Sequence, residues 1–224
     1  MERVICLAIG YVFGLFQTSY IYGKIKHVDI REYGSGNAGT TNAMRVLGKK
    51  AGIITYIGDC LKAILAGVLI WFIFRCQLSR ASDYVLMLRI YGGLGVILGH
   101  NFPFYMGFKG GKGIAASSGV IFGLGDFKII LLSLILFTSV TVISKYVSLG
   151  SLVFMGIFLI EFIGFNELGI LGFKNNIHIT GNERIEVYIV VFIIVALAYI
   201  KHSANIKRLI AGNERKIGQK KEEV

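Results

Sequence analysis

The residues with the greatest capacity for chemistry fall into three segments rich in glycine, small polar and basic side chains. The first, residues 34–45, reads GSGNAGTTNAMR. Its glycines let the backbone approach a ligand closely, and free N–H groups there can form an anion-binding concavity. Ser35, Asn37 and Asn42 add neutral polar contacts, and the planar guanidinium of Arg45 suits a phosphate group. A turn-rich loop that merely caps the next helix would have a similar composition, so the spacing alone leaves both interpretations open.

The second segment, FKGGKG at residues 108–113, leads directly into an apolar helix. A glycine-rich turn with Lys109 and Lys112 at a helix N-terminus predicts a phosphate cradle. It is not a Walker A loop, because Met106 stands where that pattern needs glycine and Gly113 where it needs serine or threonine. Nucleotide hydrolysis is therefore not expected. Lysines that simply mark the cytoplasmic side of a membrane loop are the alternative.

The third group combines KYVSLGS at residues 145–151 with the C-terminal tail. His202, Asn205 and Arg208 recur at three-residue spacing, which places them near one face of a helix. A histidine at a membrane interface can also serve as a polar anchor, and the spacing does not distinguish that role from chemistry.

The elements that must position these segments are membrane helices. Of 224 residues, 54% are hydrophobic and only 17% are charged, whereas soluble domains carry about 25% charged residues. This composition excludes a soluble enzyme, a disordered protein and a nucleic-acid-binding domain. The apolar residues gather into blocks near the length of a bilayer-spanning helix. These blocks cover 4–23, 51–74, 84–106, 114–125, 129–144, 147–165 and 187–200.

We therefore predict one all-α polytopic domain over residues 1–224, with about seven transmembrane helices and the first block retained as a helix. The block at 114–125 is short and must be tilted, extended or partly re-entrant, so six or five spans are alternatives. The first loop and the tail from Lys201 are the most basic segments and should both be cytoplasmic. With seven spans the N-terminus is then outside and the C-terminus is cytoplasmic.

Ionisable residues inside the apolar blocks have predicted roles as well. Asp59 and Lys62 lie three residues apart, so they meet on one helix face as a pair that supports packing or the site. Arg89 and Glu161 lie nearer the predicted outer ends and are expected to extend toward the headgroups. Cys6, Cys60 and Cys76 show no metal-ligand or disulfide spacing, and neither a metal nor a disulfide is expected.

Because the polar and basic segments sit at the cytoplasmic ends of helices, they favour an enzyme in which a phosphorylated soluble substrate meets a membrane-delivered one. A small-anion transporter would share the basic loops but needs polar residues through the spans. A lipid-phosphate transferase or phosphatase would need paired carboxylates for a metal or a histidine nucleophile. The inner loops offer only Asp29 and Glu32.

The segments also resemble a known family. GSGNAGTTNAMR at 34–45, GHNFPFYMGFKGGKGIA at 99–115, KYVSLGS at 145–151 and HSANIKRLIAGNE at 202–214 are similar to signatures of the bacterial acyl-phosphate:glycerol-3-phosphate acyltransferases of the PlsY type. Ala38, Thr40 and the pair Ala116-Ser117 depart from the usual residues, and the segment 166–186 is longer than typical.

The resemblance implies transfer of a fatty acyl group from acyl-phosphate to the sn-1 hydroxyl of glycerol 3-phosphate, the first committed step of membrane phospholipid synthesis. Lysophosphatidic acid and phosphate would be the products, without metal, nucleotide or other cofactor. It further implies a bacterial cell membrane, an active site facing the cytoplasm, contact with membrane lipid, and a peripheral phosphate acyltransferase that supplies the acyl-phosphate.

The resemblance also assigns roles to residues. Glycerol 3-phosphate is expected near the glycine loop at 110–113, and Glu214 is expected to maintain integrity. His202 or a substrate phosphate would accept the hydroxyl proton. The expected catalytic residues are Ser35, Asn37, Arg45, Lys112, Ser148, His202 and Asn205. The expected substrate-binding residues are Gly36, Gly39, Asn42, Lys109, Gly110, Gly111, Gly113, Lys145 and Glu214.

Overall fold

The computed structural model describes residues 1–172 and 176–217, and the regular secondary structure of this part is helical, with one isolated β-bridge between Leu171 and Ile177. Seven helices cover the apolar blocks or parts of them: α1 Glu2–Gly14, α4 Lys49–Trp71, α5 Ser82–Asn101, α6 Ile114–Leu124, α7 Phe127–Ser144, α8 Val147–Glu167 and α9 Gly181–Lys201. Three shorter helices are α2 Thr18–Ile25, α3 Thr40–Leu47 and α10 Ser203–Ile210. A π-helical turn, Phe72–Gln77, prolongs α4, and a 3-10 turn, Phe104–Met106, follows α5.

The helices match the prediction of a polytopic membrane protein. Among the described residues, five stretches are long and apolar enough to cross a bilayer without a sharp bend, and α9 with α10 forms a sixth that bends by 59°. Helix α6 has 11 residues and rises only ~17 Å, well short of a ~30 Å hydrocarbon core. The number of full spans and the side on which each terminus lies stay predictions.

Three predicted boundaries differ in the structure. The block at 4–23 is not one helix, because the chain breaks between α1 and α2, where Gln17 is extended and fully buried. The amide nitrogen of Gln17 donates to the carbonyl of His100 at 2.9 Å, which holds the break against α5. Helix α9 begins at Gly181 rather than near residue 187, and α8 runs on to Glu167, because both include polar turns that hydropathy does not detect.

Helix α5 forms the centre of the bundle, and most of its side chains are buried. Helix α1 packs directly on it, and the two backbones approach so closely that only glycine fits between them. A Cβ on Gly95 would strike the carbonyl of Leu7, and one on Gly99 would strike that of Tyr11. Small residues allow this close approach, which replaces the missing hydrophobic driving force between helices in lipid. Helix α7 lies at the periphery, since only 17% of its apolar stretch is buried in the protein.

Arg89 and Glu161 do not extend toward the headgroups, and that expectation was wrong. The guanidinium of Arg89 donates to the carbonyl of Gly123 on α6. Glu161 is only 5% exposed and accepts a hydrogen bond from Ser133 on α7 at 2.8 Å. Each side chain therefore finds one partner inside the bundle, which lowers the cost of a polar group in hydrocarbon. The Nε of Arg89 and the second carboxylate oxygen of Glu161 are buried without a hydrogen-bond partner among the described residues.

Candidate active site

A cavity of about 750 Å³ opens at the end of the bundle where the glycine-rich segments meet. Its walls come from the loop before α3, from α3 itself, from the loop before α6, and from α10 and the tail beyond it. The inner ends of α4, α5, α8 and α9 complete it. Phe137 of α7, Ile114 of α6 and Val147 of α8 give it an apolar side. Segments more than 150 residues apart in sequence thus share one site.

The loop of residues 34–39 is held in shape by Asn42. Its side-chain oxygen accepts from the backbone N–H of Ser35 at 2.8 Å, and its amide nitrogen donates to the carbonyls of Ile30 at 2.8 Å and Tyr33 at 3.1 Å. The side-chain hydrogen bonds of Asn42 therefore stabilise the loop, although Asn42 also borders the cavity. Ser35 and Arg45, by contrast, are exposed at the cavity.

The sequence predicts a cradle in which the N–H groups of the glycine loop bind a phosphate, and the structure differs from this prediction. The N–H of Gly110 donates to the carbonyl of Asn101, and that of Gly111 to the carbonyl of His100, both at 3.2 Å. These two amides fold the loop back onto the end of α5 and are not free for a ligand. The cavity instead meets the N-terminus of α6 at Gly113 and Ile114, where the first N–H groups of a helix lack intrahelical partners.

The tail closes the site through Glu214, which is 8% exposed. Its carboxylate accepts from Ser148 at 3.0 Å, from the Asn205 amide at 2.7 Å and from Arg208 at 2.6 Å. Burial alone would raise the pKa of Glu214, but these three donors hold it below its ordinary value. Asn205 also accepts a hydrogen bond from Lys112. Glu214 therefore connects α8, α10 and, through Asn205, the glycine loop.

His202 lies at the bend between α9 and α10 and is buried. Its Nδ1 is 2.7 Å from the carbonyl oxygen of Ala198, which can only accept, so Nδ1 carries the proton. Burial, reinforced by the charge of Lys112, lowers the pKa of His202 to about 4. The imidazole is accordingly neutral near pH 7, and its Nε2 presents a lone pair.

Positive charge dominates the cavity. Seven cationic side chains and four carboxylates line it. The cations are Arg31, Arg45, Lys109, Lys112, Lys201, Arg208 and Arg215, and the carboxylates are Asp29, Glu32, Asp59 and Glu214. Asp29 is already paired with Arg31 at 2.6 Å and Glu214 with Arg208. Burial, with the neighbouring Arg215, lowers the pKa of Arg45, and burial lowers that of Lys112 to about 8. Such a cluster is stabilised when an anion binds.

Two residues predicted to contact substrate do not line the cavity. Lys145 ends α7 in a left-handed conformation with φ 64°, and its carbonyl accepts from the N–H of Ile217 at 2.8 Å. Gly111 is buried behind the loop, where a Cβ would strike Nε2 of His100 and approach the Ala38 carbonyl to 2.7 Å. Both residues shape the backbone around the site. The other predicted residues all border the cavity.

Sequence reasoning missed several lining residues, notably Tyr56, Ser151, Lys201 and Arg215. Lys201 and Arg215 belong to the basic tail and could have been found by extending the tail motif in both directions. Tyr56 carries no sequence signal, because it lies in an apolar helix one turn before Asp59. No group of three or more histidine, cysteine or acidic side chains that could hold a metal occurs within residues 1–172 and 176–217.

Fold and site together define an integral membrane enzyme with a cationic cavity at the ends of its helices. Residues 4–212 match the family model described as glycerol-3-phosphate acyltransferase. The chain is 40% identical over 220 residues to the glycerol-3-phosphate acyltransferase of Clostridioides difficile strain 630, covering 98% of this chain and 97% of that protein. It is 37% identical over 223 residues to that of Thermoanaerobacter sp. strain X514, covering 99% of each.

Two solved structures share the fold over 97% of this chain and 96% of theirs, at 27% identity. Both are crystal structures of PlsY (YgiH), an integral membrane glycerol 3-phosphate acyltransferase. The TM-score is 0.78 for the glycerol 3-phosphate form and 0.76 for the lysophosphatidic acid form. The chain belongs to the glycerol-3-phosphate acyltransferase family, and it is an acyltransferase of phospholipid biosynthesis.

Proposed function

We propose that this protein transfers a fatty acyl group from acyl-phosphate to the sn-1 hydroxyl of glycerol 3-phosphate, releasing lysophosphatidic acid and inorganic phosphate. The observation that carries the proposal is the cavity itself. Its cationic wall is large enough to meet two phosphates, and its apolar side at Phe137, Ile114 and Val147 provides a surface for an acyl chain. A membrane enzyme that joins a lipid-soluble donor to a phosphorylated acceptor needs both surfaces in one place.

Acyl-phosphate is an activated mixed anhydride with a good leaving group, so the reaction needs no covalent enzyme intermediate. The protein must hold two mutually repelling anions together and stabilise the charge that develops on the carbonyl oxygen. We assign the phosphates to Arg45, Lys109 and Lys112. Amide and hydroxyl donors at the cavity, Asn37 and Ser35, are assigned to the donor carbonyl and leaving phosphate.

The attacking hydroxyl must lose a proton. Neutral His202, with its proton on Nδ1, has Nε2 free to accept one, and a substrate phosphate is the second acceptor available. Ser148 and Asn205 position the reacting groups through Glu214. Replacing His202 with Gln separates the two routes: a general base predicts loss of kcat with little change in either KM, whereas proton transfer to phosphate predicts a much smaller loss.

The test of the reaction uses purified full-length protein in detergent with glycerol 3-phosphate and palmitoyl-phosphate, and palmitoyl-CoA as the alternative donor. Lysophosphatidic acid should form with acyl-phosphate alone, with one phosphate released per product, and NMR of the product should show the ester at sn-1. Transfer from acyl-CoA at a comparable rate would contradict the proposed donor, and an sn-2 ester would contradict the proposed position.

We also propose that the cavity faces the cytoplasm of a bacterial cell membrane, where a phosphate acyltransferase delivers the donor. The basic first loop and tail support this orientation. Cys76 is exposed near the opposite end, whereas Cys6 and Cys60 are buried, so Cys76 is a native reporter. In intact cells an impermeant thiol reagent should label Cys76 but should not label Ser203→Cys in a Cys76→Ser background. Labelling of position 203 would reverse the orientation.

A further inference from the structure

A buried polar cluster lies beneath the glycine loop, where α1, α4 and α5 meet. Lys62 is 4% exposed, Asp59 1% and His100 2%. The Lys62 ammonium is 3.0 Å from an Asp59 carboxylate oxygen and 2.6 Å from the carbonyl of Phe16, at the break between α1 and α2. It is also 2.9 Å from Nδ1 of His100. Thr18 donates to the same Asp59 oxygen at 3.1 Å.

These contacts fix the tautomer of His100. A lysine ammonium has three N–H donors and cannot accept. Its neighbours here are a carboxylate oxygen of Asp59, the backbone carbonyls of Phe16 and, at 3.3 Å, Gly14, and Nδ1 of His100. Because the ammonium can only donate, Nδ1 is the accepting nitrogen. The proton of the neutral imidazole therefore resides on Nε2. The carboxylate of Asp59 balances the charge of Lys62, which makes the buried pair tolerable at membrane depth.

Nε2 of His100 lies against the underside of the glycine loop, at the edge of the cavity that His100 borders. A Cβ placed on Gly111 would strike this nitrogen, and His100 itself borders the cavity beside Lys109 and Gly110. Within the described part of the chain Nδ1 is bonded to Lys62, whereas Nε2 has no hydrogen-bond acceptor. The His100 carbonyl meanwhile accepts from the N–H of Gly111 and from Gln17, so the backbone of His100 is tied to the glycine loop.

We propose that His100, fixed by Lys62 as the Nε2–H tautomer, donates a hydrogen bond to the phosphate group that the glycine loop holds. Lys62 is then a positioning residue, because it acts on the ligand through the imidazole, and Asp59 holds Lys62 in place. The inference rests on the proposed function and takes the phosphate beside Lys109 and Lys112 to be that of glycerol 3-phosphate. It gives the charged pair inside α4 a role, since an ammonium can only donate and therefore holds Nδ1 as the acceptor.

The tautomer can be read directly in the unmodified protein. Full-length protein with ¹⁵N-labelled histidine is examined by NMR in detergent, and the His100 signals are assigned by their loss in His100→Gln. We expect a protonated Nε2 and an unprotonated Nδ1 near pH 7. Titration with glycerol 3-phosphate, without an acyl donor, should shift the Nε2 signal in a saturable way. The opposite tautomer, a doubly protonated ring or an unresponsive signal would overturn the proposal, and each of these results is read from the unmodified protein.

Binding by variants supplies the second measurement. His100→Phe should weaken binding of glycerol 3-phosphate roughly 10- to 100-fold, the effect of one hydrogen bond to a charged group. His100→Gln keeps an amide donor near the Nε2 position and should recover part of the affinity. His178→Phe is the matched control, because His178 is exposed on the far side of the bundle. Equal affinities for His100→Phe and His178→Phe would overturn the proposal.

The positioning role is tested with Asp59→Asn combined with Lys62→Met, which keeps the cluster neutral. The His100 signals should then report a mixture of tautomers, with weaker binding in proportion. An unchanged tautomer in this double variant would refute the role of Lys62. Because these measurements use glycerol 3-phosphate and inorganic phosphate without an acyl donor, they are independent of acyl transfer. Wild-type protein that binds but transfers no acyl group would contradict the proposed function and leave the inference standing.

Discussion

Lys112 gives the sharpest quantitative prediction, because burial lowers its pKa to about 8. Glycerol 3-phosphate is a dianion above about pH 7, since the second phosphate pKa is near 6. Lys112 would fall from about 90% charged at pH 7 to about 10% at pH 9, each pH unit being a tenfold change in the ratio of the two forms. Loss of a hydrogen bond from a charged donor weakens binding by roughly 10- to 100-fold. The KM for glycerol 3-phosphate should therefore rise about tenfold between pH 7 and pH 9, with its inflection near pH 8.

The assay is initial-rate acyl transfer across that pH range at saturating acyl-phosphate. Lys112→Arg stays charged throughout and should show a flat profile, whereas Lys109→Met, on an exposed neighbour of the same loop, should keep the inflection. If the inflection persists in Lys112→Arg, it belongs to another group, and the assignment of Lys112 to the acceptor phosphate is refuted. A flat wild-type profile would equally contradict it.

Three further predictions concern the tail, the first motif and the bundle. Glu214→Ala leaves the buried donors of Ser148 and Asn205 without an acceptor and should cost roughly 2–4 kcal/mol, seen as a lower Tm in detergent. Because the folded pKa of Glu214 lies below its ordinary value of 4.5, this stabilisation is present above that value and is lost as pH falls through the lowered one, so a Tm difference that did not decline on acidification would contradict the ionised role. Arg45→Ala should lower kcat/KM at least roughly 100-fold while the protein stays monodisperse by size-exclusion chromatography, with Arg45→Lys intermediate, and near-normal turnover would remove Arg45 from the site. Gly95→Leu should overpack the α1–α5 contact, at a cost of roughly 1–3 kcal/mol or more, whereas Gly164→Leu, where a Cβ meets nothing within 4 Å, should not; equal thermal stabilities would refute the close-packing argument.

The sequence alone determined the class of architecture and the location of the candidate site. Hydropathy is a property of each segment taken by itself, so blocks of about twenty apolar residues predict membrane helices without knowledge of their partners. The spacing of residues along one helix also predicts contacts without knowledge of the rest of the fold. The three-residue interval between Asp59 and Lys62 predicts their contact, which the structure shows at 3.0 Å, and the interval from His202 to Asn205 and Arg208 predicts their shared helix.

Only the tertiary structure decided which segments touch and where each polar group finds its partner. Lys112 reaches Asn205, and Ser148 reaches Glu214, across 93 and 66 residues of sequence. The glycine-loop amides turned out to serve the end of α5, Lys145 lies outside the cavity, and Arg89 and Glu161 bond within the bundle. These outcomes depend on how far each helix is rotated and how deep it sits. Rotation and depth are set by packing between helices, such as the glycine contacts of α1 with α5, which no single segment of sequence contains.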